Sequence, residues 1–213
     1  GRSRTHCPVP RPTRSVGGWR LSETLPTAAS YTAVLGVVLC GGASARMGRD
    51  KATLLFEGLP MAVRVANALT VGGCSTVIAV GGDPQVLGPL GLVVVSDAVA
   101  GIGPIGGLLA ALQQGAERGA VVTMSCDVPR LTGEAVRSLL AALAPGVDVA
   151  VAFTDRRQPV CAAWRPGLSV VVGEAVESGE RRIWKVLEGL TVVEVPIDPR
   201  VLANMNTPSD LND

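Results

Sequence analysis

The residues of this chain most able to do chemistry sit in one short loop, Cys40-Gly41-Gly42-Ala43-Ser44-Ala45-Arg46-Met47-Gly48-Arg49-Asp50-Lys51. Gly41 and Gly42 let backbone N–H groups approach a phosphate or a base without interference from a Cβ, while Ser44, Arg46 and Lys51 supply donors and positive charge. The loop is not a P-loop, because five residues separate Gly42 from Gly48 and an arginine follows. Lys51 and Lys185 are the only lysines in the chain, so a lysine within this loop stands out from a solvated glycine turn.

Two carboxylates are the next candidates. Asp97 follows the apolar run 92–96 and Asp127 follows the run 120–126, so parallel strands would deliver both to the sheet edge that carries the glycine loop. Oxygen ligands beside a phosphate loop point to Mg²⁺, for which both carboxylates are candidates, and Pro129 stiffens the turn that presents Asp127. Attack of an acceptor oxygen on the α-phosphorus of a nucleoside triphosphate spreads negative charge. Mg²⁺, Arg46 and Lys51 would neutralise that charge as pyrophosphate leaves. Asp127, Arg46 and Lys51 are therefore the catalytic candidates.

A second glycine cluster, Gly101-Ile102-Gly103-Pro104-Ile105-Gly106-Gly107, satisfies G-x-G-x-x-G. Its separation from the preceding strand and the missing N–H of Pro104 favour a tight turn exposing a helix N-terminus to an anionic substrate group over a dinucleotide site. An NAD-linked oxidoreductase built on these glycines would leave the 41–51 loop without a purpose. A non-catalytic nucleotide carrier would leave Lys51 and Asp127 unexplained.

Composition removes other chemistries. The single histidine, His6, lies in a Pro- and Arg-rich first stretch, which leaves no imidazole for a Ser-His-Asp triad, a Cys-His pair or a His-ligated zinc. Five cysteines without close pairs fit neither a zinc knuckle nor a disulfide framework and suit a reducing cytoplasm. The first 30 residues hold five of 19 basic and one of 18 acidic side chains, leaving 14 basic and 17 acidic beyond them, so no broad basic face invites nucleic acid. The longest clean apolar run, 33–40, is far short of the roughly 20 residues a membrane span needs. Residues 1–30 have no apolar period and read as a disordered tail, with 31–213 as one domain.

The elements that must position these groups follow from hydrophobic period. Non-alternating Val-rich runs at 34–39, 77–80, 92–95, 120–125 and 147–153 alternate with amphipathic stretches, the pattern of a parallel sheet covered on both faces. Ile105, Leu108, Leu109 and Leu112 repeat at helical spacing, as do Val136, Leu139, Leu140 and Leu143. Pro60, Pro104, Pro166 and Pro208 sit where first helical residues would, and Thr132 and Thr207 where N-caps would. Runs at 160–164 and 192–195 add later strands, one of them antiparallel. The expected fold is α/β, a three-layer α/β/α sandwich with a mostly parallel, Rossmann-like sheet.

The 39–51 stretch resembles the L-A-G-G-x-S-x-R-M-G-x-D-K signature of molybdenum cofactor guanylyltransferases within the nucleotidyltransferase superfamily. Gly103-Pro104-Ile105-Gly106-Gly107 is similar to their G-P-L-x-G turn and Cys126-Asp127-Val128-Pro129 to their C-D-x-P turn. Gly179-Glu180-Arg181-Arg182 resembles a G-E-R-R segment and Asn204-Met205-Asn206-Thr207-Pro208 an N-x-N-T-P close, in order from about residue 34 to 211. The resemblance implies a nucleotide-diphospho-sugar transferase-like fold and transfer of GMP from Mg-GTP to molybdopterin. It implies that Leu39, Cys40, Gly41 and Gly42 touch the nucleotide, Lys51 its phosphates, Asp97 the nucleoside and Asp127 the metal. Gly103, Pro104, Arg182, Asn204 and Asn206 would line the pterin side. GTP and molybdopterin are thus the implied partners, together with proteins of cofactor biosynthesis or molybdoenzyme maturation.

The chain departs from the family in two places. Cys40 replaces an alanine, with a thiol whose bulk would trim the nucleotide pocket, and Val80-Gly81-Gly82-Asp83 lacks the asparagine that the family often places after its second strand. Gly41-Gly42 leans toward guanine by family analogy. A molybdopterin cytidylyltransferase or another NTP-dependent sugar-phosphate nucleotidyltransferase is the alternative.

Overall fold

The computed structural model describes residues 33–41 and 51–205. The expected tail at 1–30 and the candidates Gly42, Ser44, Arg46, Asn206, Thr207 and Pro208 lie outside the described residues. The strands are β1 (Val34–Leu39), β2 (Leu55–Phe56), β3 (Leu59–Pro60), β4 (Thr76–Val80), β5 (Val93–Val95), β6 (Ala120–Ser125), β7 (Val149–Phe153), β8 (Arg157–Trp164) and β9 (Val192–Pro196). The helices are α1 (Met61–Val71), α2 (Pro84–Leu87), α3 (Pro104–Gln114), α4 (Gly133–Ala142), α5 (Ser169–Glu177) and α6 (Ile183–Leu187). Seven strands form one sheet in the order β5-β4-β1-β6-β8-β7-β9, and β2 and β3 make a separate hairpin.

Every neighbouring pair in the large sheet is parallel except those of β8, which runs antiparallel to both β6 and β7. A turn of three residues joins β7 to β8, too short for the crossover that a parallel pair requires. The carboxyl ends of the other six strands and the start of β8 therefore share one rim.

Alternate residues of each strand feed two cores, which is why the runs read as continuous apolar stretches. In β1, Val34 and Val38 turn toward α1 and α4, while Leu35, Val37 and Leu39 turn toward α3, α5 and α6. Trp164 is wholly buried on the second face, and its indole N–H donates to the hydroxyl of Thr123 at 2.9 Å, so the largest side chain of an aromatic-poor core leaves no unpaired donor. Ile105, Leu108, Leu109 and Leu112 are all buried, as the helical spacing requires. Thr132 caps α4 by accepting from the Ala135 N–H at 3.2 Å.

Two proline expectations need correction. Pro60 is the N-cap residue of α1 and not its first turn, because its extended backbone (ψ 137°) still pairs with Leu55 across the hairpin. Pro166 precedes Gly167 (φ 87°) in a turn, and α5 begins only at Ser169. A Pro-Gly pair specifies a turn more strongly than it specifies a helix start. Strand limits also shift slightly: 77–80 begins at Thr76, 92–95 at Val93 and 147–153 at Val149. Among the described residues no helix is long and apolar enough to cross a membrane.

Candidate active site

Beyond the carboxyl ends of β1, β4, β5 and β6 the rim opens into a cleft, the place where an open α/β sheet binds ligands. Leu39, Gly41, Asp97, Gly103 and Pro104 line it together with Gly107 and Ser125, so five of the residues singled out from the sequence converge there. Leu39 closes β1, and Gly103, at φ 79°, is the N-cap of α3 with Pro104 in its first turn. The N-terminus of α3 thus faces the cleft without a side-chain cap, as an anion-favouring turn would.

Asp97 owes its position to missing side chains. A Cβ at Gly41 would lie 3.0 Å from its Oδ2, and a Cβ at Gly107 would lie 3.1 Å from its Oδ1. Gly81, at φ 75°, touches Gly41 so closely that a Cβ there would meet the Gly41 backbone at 2.6 Å. Three glycines from three distant segments therefore seat one half-buried carboxylate. Burial raises its affinity for a proton above that of an ordinary aspartate.

Asp127 is held differently. The Ser125 hydroxyl donates to its Oδ1 at 2.6 Å, and its carbonyl accepts the Met205 N–H at 2.8 Å. Among the described residues the first bond is the one that orients the carboxylate, and the second brings exposed Asn204 to the same turn. Beneath it, burial pushes the Cys161 thiol up to about 11, with the charge of Asp127 acting in the same direction, so the thiol stays protonated at neutral pH.

Lys51 opens a 3-10 turn (Lys51–Thr53) whose carbonyl accepts the Leu54 N–H at 3.1 Å, just before the β2–β3 hairpin. Phe56 of that hairpin packs with Met61 and Met205, which links the Lys51 segment to the segment hydrogen-bonded to Asp127. This small cluster lies at the start of α1, while the cleft lies toward α3.

Arg182 reaches the rim by another route. Gly173 of α5 sits beside Leu109, and Ser169 lines a surface recess with Gln113, so α5 runs antiparallel to α3 and returns the chain toward the carboxyl ends. There Arg182 donates to both carboxylate oxygens of Glu180 at 2.8 and 2.9 Å and rests on the Trp184 ring at 5.1 Å. The Arg182 hydrogen bonds hold the Glu180 carboxyl down at about 2. Arg182 is exposed and does not line the cleft.

The Cys40 side chain packs against the core on the α1 and α4 side, while its N–H donates to the Val80 carbonyl at 2.8 Å. Strand alternation thus turns the thiol away from the cleft, contrary to the expectation that it would trim the pocket. Asp83, in the segment that lacks the expected asparagine, caps α2 by accepting from the Gln85 N–H at 2.8 Å. Sequence reasoning gave no role to Gly81 or Ser125 and read Gly107 only as part of the substrate turn. The signal for Gly81 was its place directly after a strand, paired with a second glycine.

The oxygen donors at this rim suit a hard cation. Among the described residues no three metal-ligating side chains converge, so the donor set fits an ion that takes one or two carboxylates and completes its shell with water and substrate phosphate.

The family model of the MobA-like NTP transferase domain matches residues 36–194. A molybdenum cofactor guanylyltransferase of Rhodobacter capsulatus is 36% identical over 182 residues, covering 84% of this chain and 93% of the relative. One from Xanthomonas euvesicatoria is 32% identical over 178 residues, covering 81% and 89%. The crystal structure of molybdopterin-guanine dinucleotide biosynthesis protein A from Archaeoglobus fulgidus superposes with a TM-score of 0.68 at 24% identity, over 84% of this chain and 95% of that one.

Proposed function

The chain belongs to the MobA-like NTP transferase family and is a nucleotidyltransferase, and we propose that it transfers GMP from GTP to the terminal phosphate of molybdopterin in the cytoplasm, releasing pyrophosphate. The observation that carries this reading is the convergence on one cleft of Leu39, Gly41, the seated carboxylate of Asp97, and Ser125, whose hydroxyl holds Asp127. The names of the relatives support guanine as the base and molybdopterin as the acceptor.

In this reading Leu39, Cys40, Gly41 and Gly42 offer backbone groups to the nucleotide, and Asp97 accepts hydrogen bonds from its nucleoside part. Lys51 and Arg46 neutralise the triphosphate as charge builds on the leaving pyrophosphate. Asp127 would hold Mg²⁺, which supplies Lewis-acid polarisation of the phosphate oxygens when bound. Gly103 and Pro104 present the α3 N-terminus to an anionic group of the substrates. Asn204, Asn206 and Arg182 bind the acceptor's pterin side, with Arg182 exchanging its Glu180 partner for substrate. No residue of the chain need act as a nucleophile, because the acceptor phosphate is one.

Comparing pyrophosphate release from GTP, CTP and ATP, each with and without molybdopterin, tests the proposal. Turnover with GTP that depends on molybdopterin is expected. A preference for CTP would move the chain to cytidylyl transfer, and release that ignores molybdopterin would remove the acceptor.

A further inference from the structure

Three residues beyond Asp127 lies Arg130. Arg157, Arg182 and Arg200 are each paired with a carboxylate, namely Glu194, Glu180 and Asp198. Arg64 pairs with Glu57 at 2.7 Å and donates to the Pro129 carbonyl at 3.1 Å. Arg130 makes no ion pair among the described residues. Its guanidinium lies 5.3 Å from the centroid of the Phe56 ring, which also carries that of Arg64 at 5.0 Å.

The place of this guanidinium matters more than its lack of a carboxylate. Phe56 is 2% exposed and packs with Met61 and Met205. Met205 is hydrogen-bonded to Asp127, and the segment leading to Phe56 begins at Lys51. Arg130 is thus attached to the Asp127 turn, rests on a ring tied to the Lys51 segment, and is half-buried. Two guanidiniums thus share one buried ring, and Glu57 is paired with that of Arg64.

We propose that Arg130 binds a phosphate group of the reacting substrates. The inference rests on the phosphoryl transfer proposed above. A guanidinium stacked on an aromatic ring is pre-oriented and partly stripped of water, and its remaining N–H donors match two oxygens of one phosphate. The oxyanion belongs either to the nucleotide's leaving pyrophosphate or to the acceptor's phosphomonoester, since the Lys51 and the Asn204 segments both meet at Phe56.

Steady-state kinetics of the full chain with R130Q and R130K, read alongside thermal melting, test this. R130Q is expected to raise the KM for one substrate about ten-fold or more while the melting temperature holds, and R130K to recover part of the loss. A rise confined to GTP, with weaker inhibition by pyrophosphate, assigns the nucleotide phosphates. A rise confined to molybdopterin assigns the acceptor. Unchanged KM values for both, or a lowered melting temperature with unchanged KM values, would overturn the proposal. Should the wild-type chain transfer nothing to molybdopterin, the acceptor reading fails on its own. Calorimetric titration of wild type and R130Q with pyrophosphate and with inorganic phosphate then decides Arg130: weaker binding by R130Q supports it and equal affinity contradicts it.

Discussion

Asp97 and Asp127 stand at the ends of two strands on the same rim, yet they are positioned by opposite means. Asp97 is seated by the absence of side chains at Gly41, Gly81 and Gly107, contributed by segments on both sides of it in the chain. Asp127 is aimed by one hydroxyl two residues away and in turn anchors Met205 through its carbonyl. A steric seat fixes shape and strips water, as recognition of one nucleoside requires. A single hydrogen bond fixes direction and leaves lone pairs open, as a metal ligand requires. Two carboxylates at equivalent places in a sheet thus acquire different chemistry from their surroundings.

Removing Asp127, the carboxylate proposed to hold the metal, should have the largest effect. Asp127→Ala is expected to lower kcat about a thousand-fold, corresponding to several kcal/mol of lost charge stabilisation, while circular dichroism stays that of the wild type. Retention of more than a tenth of the rate would show that Asp127 is not central to the chemistry.

Filling the seat of the other carboxylate comes next. Gly81→Ala places a methyl against the Gly41 backbone and strains a left-handed residue, costing about 2–4 kcal/mol in total, so the KM for GTP should rise at least ten-fold. Gly107→Ala meets side chains alone, the Asp97 carboxylate at 3.1 Å and the end of Leu39 at 3.3 Å, at a permitted φ, and its effect on KM should be smaller. If Gly107→Ala left GTP binding unchanged with Asp97 displaced in a crystal structure, the seat would have no part in recognition.

The pH dependence separates the two carboxylates further. Burial raises the pKa of Asp97, so acidification neutralises it before an ordinary aspartate, and GTP affinity should begin to fall above the usual carboxylate range. Asp97→Asn should bind weakly and lose that part of the pH profile. For stability the sign is the reverse. The folded state disfavours the charged form, so the contribution of Asp97 is present below its unfolded-state pKa and is lost as pH rises through the raised value. Asp97→Asn is therefore expected to melt at a higher temperature than wild type at pH 7, and a lower melting temperature would contradict the steric account. The smallest effect should come from Ser125→Ala, which removes one donor to Asp127: a loss of about ten-fold or less in kcat, with a higher Mg²⁺ concentration needed for half-maximal rate.

Much of this architecture was legible in the chain because local patterns agreed with one another. The Val-rich runs, the 3.6-residue spacing of α3 and α4, and Thr132 at a cap all report short-range geometry. Strand-end placement of Asp97 and Asp127 followed from parallel topology alone. What escaped was long-range. The glycine contacts with Asp97 depend on three segments meeting at the rim, and no spacing within any one of them encodes that meeting. The setting of Arg130 depends on Phe56, 74 positions earlier in the chain, whose ring lies beneath it. Cys40 was misjudged because a residue one place along a strand from Leu39 faces the opposite side, so adjacency to the nucleotide loop did not mean adjacency to the cleft. Pro166 was misread because its glycine neighbour commits the backbone to a turn.

The most direct test follows the α-phosphorus itself. GTP labelled at that atom is incubated with molybdopterin, Mg²⁺ and the purified chain, and the pterin product is isolated. The account predicts label in a guanine dinucleotide form of the pterin, formed by the wild type and essentially not by Asp127→Ala. Label remaining wholly in GTP or free GMP, with a folded and GTP-binding protein, would contradict it.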